Sequence, residues 1–137
     1  MKNIKDCFQK LKDSGLKLTP QRMAVVEILE GNTSHPSANM IYHEVKKKYP
    51  MISFATVYKT LKVLAEVDEI QQLKIVEDKV NFDPNIEPHD HFYCRKCRGI
   101  KDIFPDKKMD LKEINGHLIE KYQVYFYGIC SECRKSN

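Results

Sequence analysis

Apolar residues return every three or four positions through the first 65 residues, and every second position beyond residue 67. The first period is that of a helix with one buried face, the second that of a half-buried strand. Ile4, Cys7, Phe8 and Leu11 outline an opening amphipathic helix that stops near Ser14-Gly15. Thr19-Pro20 supplies an N-cap with proline in the first turn, and Met23, Val26, Ile28 and Leu29 stripe a second helix ending at Gly31. Pro36-Ser37 begins a third helix through Ile41, Tyr42 and Val45, stopped by Pro50. Ser53 caps a fourth, in which Ala55, Val57, Tyr58, Leu61 and Leu64 mark the buried side.

Alternating runs at 70–76 and 79–82 flank Glu77-Asp78, as in a hairpin. Three helices and a hairpin predict a winged helix-turn-helix, with one additional helix in front. Short strands at 91–93 and 100–104, a helix near 109–122 and a strand at 123–129 follow. Pro84 and Pro88 bracket Asn85-Ile86-Glu87 and place a boundary there. The expected fold class is α+β: a winged-helix DNA-binding domain over 1–84, then a small α/β dimerisation and metal-binding domain over 85–137.

The chain has 137 residues, enough for one ordinary domain or two small ones that would gain from a metal or a dimer interface. No apolar run approaches the ~20 residues that cross a bilayer, and the start lacks a signal-peptide core. A cytoplasmic protein without a membrane partner is therefore expected, in a compartment where thiols stay reduced. Net charge is only +4, but it is unevenly spread. Residues 1–64 carry 11 Lys and Arg against 5 Asp and Glu, and residues 65–137 carry 12 against 14. That asymmetry hints at a binding half and a regulatory half.

Four of the five cysteines form matched pairs, Cys94-x-x-Cys97 and Cys130-x-x-Cys133. Two such turns complete a tetrahedron of thiolates around Zn²⁺ and leave no open position for catalysis. Cys7, on the apolar face of a helix, reads as a small core residue. In an extended segment His89 and His91 project to one side. His35, Asp83 and Asp102 are further candidates for a nitrogen and oxygen site suited to Fe²⁺, Mn²⁺ or Zn²⁺. Spacing alone leaves open whether the five converge. The fourth helix offers Thr56, Lys59, Thr60 and Lys62 outward, with Tyr58 divided between core and groove, for thymine methyls, guanine edges and phosphates. Lys46-Lys47-Lys48 reads equally as a solvated face or as a phosphate contact.

Leu18-Thr19-Pro20-Gln21-Arg22, His35-Pro36-Ser37-Ala38, Ala55-Thr56-Val57-Tyr58, His89-Asp90-His91-Phe92-Tyr93-Cys94 and the paired cysteines occur in an order that resembles the ferric uptake regulator family, above all its peroxide-sensing branch. The resemblance covers nearly the whole chain. It implies that Cys94, Cys97, Cys130 and Cys133 hold structural zinc. It implies that His35, Asp83, His89, His91 and Asp102 hold a regulatory Fe²⁺ or Mn²⁺, and that Arg22 faces phosphate. Asp102 stands where iron-uptake regulators resemble one another in having Glu, which favours peroxide sensing. Asp68-Glu69 departs from the glycine usual after the recognition helix in the family it resembles, so a difference at the helix end or at the entry to the wing is expected there.

The implied function is that of a non-enzymatic, dimeric, metal-dependent repressor reading an inverted-repeat operator. Its sensing step would be metal-catalysed oxidation of His35 or His89 by peroxide. An iron- or zinc-uptake regulator signalling by reversible metal occupancy is the nearest alternative. A small metal-dependent hydrolase is the alternative from another class, although no carboxylate stands apart as a general base.

Overall fold

Each of the first four helical periods is closed at its start by a polar side chain. In the computed structural model, which describes residues 1–106 and 110–136, α1 spans Ile4–Asp13, α2 Pro20–Leu29, α3 Ala38–Lys48 and α4 Phe54–Glu66. Asn3, Thr19, Ser37 and Ser53 are their N-caps, each accepting a backbone N–H of the first turn. Such caps satisfy donors that the helix itself leaves unbonded. Leu11, Val25, Leu29, Ile41, Val57, Leu61 and Leu64 meet at the buried centre of these helices, closed by Phe82 from the hairpin. Lys10 pairs with the buried Glu69 and ties α1 to the turn after α4.

The hairpin strands β1 (Gln71–Val76) and β2 (Lys79–Asp83) run antiparallel, with Gln71 opposite Asp83. The entry to α3 adds a short third rung. Ser37 bridges Asn81, the Phe82 N–H donates to the Pro36 carbonyl at 2.9 Å, and the Asn81 amide donates to the His35 carbonyl at 2.7 Å. These bonds carry His35, in a left-handed conformation (φ 52°), to the hairpin.

The chain divides into two compact units, Met1–Ile86 and Glu87–Asn137. In the second unit β3 (Asp90–Cys94) and β4 (Ile100–Ile103) are antiparallel, with His91 opposite Asp102. A short hairpin follows, β5 (Glu113–Ile114) with β6 (His117–Leu118). Strand β7 (Tyr125–Gly128) then lies parallel to β3, giving the order β4-β3-β7, and α5 (Ser131–Lys135) ends the described chain.

The hairpin corrects the helix expected near 109–122, of which residue 109 lies outside the described residues. Asn115 (φ 51°) and Gly116 (φ 81°) both take left-handed backbone, the two-residue turn that joins twisted antiparallel strands. Local turn chemistry overrode a weak three-residue apolar period.

Candidate metal centres and nucleic-acid face

The sulfur cluster is built by one turn, one strand end and one short helix. Cys94 ends β3, Cys97 completes the following turn, and Cys130 caps α5, which carries Cys133. The four sulfurs lie within 4.8 Å of one another. Backbone N–H groups point into them: those of Cys97 and Cys130 donate to the Cys94 sulfur at 3.5 and 3.3 Å, and that of Cys133 to the Cys130 sulfur at 3.5 Å.

The Cys130 N–H, then the Cys97 N–H, pull the Cys94 thiol from its ordinary 9.0 down to about 6. Cys133 is pushed up to about 12, chiefly by its neighbour Cys130 and then by desolvation. Four sulfurs this close cannot all shed their protons without a cation among them, and four thiolates with backbone donors match the closed tetrahedral demand of Zn²⁺.

Each unit also holds a histidine–carboxylate set whose histidines are buried. In the first, the His35 Nε2 lies 3.4 Å from an Asp83 oxygen, with both side chains almost fully buried. In the second, the Nε2 atoms of His89 and His91 approach the same Asp102 oxygen, at 3.0 and 3.4 Å, and the two rings are 4.4 Å apart. The register of β3 against β4 places Asp102 there, since it stands opposite His91.

His89 Nδ1 lies 2.6 Å from the Glu87 carbonyl, which can only accept, so Nδ1 carries the hydrogen. In a neutral ring the Nε2 lone pair then faces a carboxylate oxygen. Two acceptors facing one another call for a proton or a cation between them, and the donor set fits a divalent ion of the Fe²⁺, Mn²⁺ or Zn²⁺ kind.

Along α4 the exposed side chains are Phe54, Ala55, Tyr58, Lys59, Lys62 and Glu66. This corrects the sequence reading at two positions. Thr60 is fully buried, its hydroxyl donating to the Thr56 carbonyl at 2.8 Å, so it cannot reach a groove. Ala55 lies outward rather than on the buried side, whereas Tyr58, read as divided between core and groove, has 41% of its surface exposed. At about 100° per residue, position 60 rotates back toward Val57 and Leu64, whereas 54, 55 and 58 rotate toward Lys62. Phe54 and Ala55 were the positions missed, and that arithmetic could have found them.

Thr56 is half-buried in the cap, with its hydroxyl 2.9 Å from that of Ser53. Arg22 donates from Nη1 to the Lys17 carbonyl at 2.5 Å. With Lys17 and Lys48 it lines a cleft of about 660 Å³ into which the first turns of α2 and α4 open. Three cations and two helix N-termini make that cleft favourable for a phosphate group.

Winged helix, four-thiolate cluster and histidine–carboxylate sets together define a metal-binding, DNA-binding transcription regulator. The model of the ferric uptake regulator family matches residues 13–127, and the chain belongs to that family. It is 31% identical to the peroxide operon regulator of Bacillus subtilis, over 96% of this chain and 94% of that protein. The solved peroxide stress regulator of Campylobacter jejuni is 38% identical, with a TM-score of 0.69 over 92% of this chain and 98% of that one. The ferric uptake regulator of Helicobacter pylori superposes with a TM-score of 0.80 at 25% identity, over 97% and 95% of the two chains. Relatives that are repressors set the hydrolase alternative aside. Among the described residues no helix is long and apolar enough to cross a membrane.

Proposed function

We propose that this regulator is a cytoplasmic peroxide-responsive repressor, in which His35 and Asp83 of the first unit and His89, His91 and Asp102 of the second hold one Fe²⁺ or Mn²⁺. The observation that carries the reading is the pair of histidine–carboxylate sets built on buried histidines, one in each unit. Ligands drawn from both units couple the metal to the arrangement of those units. The ion strengthens DNA binding as far as the competent arrangement binds it better. Cys94, Cys97, Cys130 and Cys133 hold structural Zn²⁺.

In the second unit Ile103, Phe104, Ile114, Leu118, Phe126 and Tyr127 are exposed, a large apolar surface for so small a unit, and supply the face for a homodimer. Two copies of α4 then read an inverted repeat, with Tyr58, Lys59 and Lys62 toward the bases and Arg22 toward phosphate.

Fe²⁺ held by these residues would supply the reduction of peroxide, and His35 and His89, as its ligands, would be the rings nearest to that chemistry. In net terms a ring carbon of one of them gains an oxygen atom, two electrons pass to peroxide, and its second oxygen leaves as water. An oxidised ring is a weaker ligand, so the units part and the DNA is released. Mn²⁺ held by the same residues would supply no such reduction.

Intact mass, peptide mapping and operator binding before and after peroxide test this. Iron-loaded protein should gain one oxygen on His35 or His89 and lose DNA affinity, with His43 and His117 unmodified, while manganese-loaded protein stays bound. Equal responses with both metals, or oxidation confined to cysteines, would overturn it. Loss of binding only on metal removal would favour signalling by reversible occupancy.

A further inference from the structure

The exposed arc of α4 begins with a side chain that plays no part in the reading above. By helical rotation Phe54, Tyr58, Lys62, Ala55 and Lys59 fall within roughly 140° of one another, and Phe54 opens that arc at the first helical position with 41% of its surface exposed. Its ring is held in place. It stacks on Tyr58 one turn along, with centroids 6.1 Å apart and planes at 27°, and meets Tyr42 of α3 edge-on at 5.7 Å and 85°. The Lys46 ammonium sits 5.3 Å from the Tyr42 ring centre.

Three aromatic rings thus form a ridge across α3 and α4, flanked by the cations of Lys46, Lys59 and Lys62. An exposed, immobilised apolar ridge between cations complements a surface that is apolar at one point and anionic on both sides. The DNA major groove has that character at a thymine: phosphates form its walls, and the C5-methyl is the one apolar group that any base pair presents there. A ring already fixed by stacking has little rotamer freedom left to lose on contact.

We propose that Phe54 is a specificity-determining residue that packs against a thymine methyl, with Tyr58 and Tyr42 positioning its ring. The inference rests on the reading of α4 as the helix that enters the groove.

The probe is a duplex selected from a random-sequence pool by the manganese-loaded full chain, with each thymine replaced in turn by deoxyuracil, which deletes only the methyl. The parent protein should lose about three- to fivefold in affinity at the position facing Phe54, the effect of one buried methyl-sized group. Phe54→Ala should bind the thymine duplex more weakly by that factor and cease to distinguish thymine from uracil there, keeping its discrimination elsewhere. Phe54→Leu, which keeps an apolar side chain, should retain most of the discrimination and stands in if the alanine variant frays the first turn. A thymine-to-uracil ratio unchanged at every position in both variants would overturn the role of Phe54 while leaving α4 as the reading helix. If no duplex is enriched, the reading of α4 fails and the inference with it.

Discussion

Asp68 shows how a residue other than glycine can end a helix in left-handed backbone. It takes φ 56° just past α4, where its N–H donates to the Ala65 carbonyl and the Glu69 N–H donates to the Leu64 carbonyl. That pair of bonds is the common glycine-type helix ending, so of the two expected differences the one at the helix end is absent. Aspartate tolerates left-handed backbone because its side chain is short and polar, though not without cost. Asp68→Gly should therefore raise stability by about 1 kcal/mol in thermal or urea melts, with DNA affinity unchanged. Cys7 is a different case. Burial, then the nearby Glu69 carboxylate, push its thiol from 9.0 up to about 11. Since only the thiolate is nucleophilic, Cys7 in the native protein should resist alkylation at about pH 8 and react at the rate of unfolding; rapid modification of the folded state would contradict its place in the core. Asp102→Glu keeps the charge and moves it by one methylene. Peroxide sensitivity should fall while metal-dependent DNA binding survives, and undiminished oxidation would remove Asp102 from the control of reactivity.

The four N-terminal helices were legible because period and punctuation agreed. Asn3, Thr19, Ser37 and Ser53 start them, and Gly15 and Gly31 follow two of their ends with positive φ. Ser53→Ala should cost about 1 kcal/mol in melts, because it strips the first turn of α4 of its side-chain acceptor. Thr60→Val, nearly isosteric, should leave operator selectivity untouched, since that hydroxyl bonds within the helix; a changed base preference would return Thr60 to the groove. The second unit was less legible. Asn115-Gly116 is a hairpin signal, yet scattered apolar residues on either side imitate a helical period. Helix α5 is defined less by a pattern than by Cys130, whose sulfur accepts the Cys133 N–H as a cap would. The five residues proposed as nitrogen and oxygen ligands come from separate stretches at 35, 83, 89–91 and 102. Only the β3–β4 register shows why Asp102 belongs with His89 and His91, and only the bonds from Asn81 and Phe82 show why His35 belongs with Asp83.

At the scale of the whole molecule the two units are stabilised differently. The first has an aliphatic core of ordinary kind. Among the described residues of the second, the buried side chains are Cys94, Cys130, His89 and His91, all metal-ligand types, while much of its aromatic surface is exposed. A unit of that size with so little apolar burial would depend on the proposed zinc as a cross-link, and metal-binding free energy would then be folding free energy. Cys94→Ser or Cys130→Ser should release zinc, unfold the second unit, and with it abolish dimerisation and operator binding, whereas the helices of the first unit should persist in far-ultraviolet circular dichroism. The pH dependence follows from competition between protons and metal. Cys94, held at about 6 against 9.0 when unfolded, contributes stability that is fully present above the unfolded value and lost as pH falls through about 6. Cys133, raised to about 12 chiefly by its neighbour Cys130, is where a returning proton settles first. Zinc loss to a chelator, followed by a colorimetric zinc reporter, should therefore quicken on acidification from about pH 8 to about pH 5, with the melting temperature of the second unit falling in parallel. A zinc-free protein that remains a dimer, melts at the same temperature and binds its operator with the same affinity would show that the cysteine cluster does not hold the second unit together.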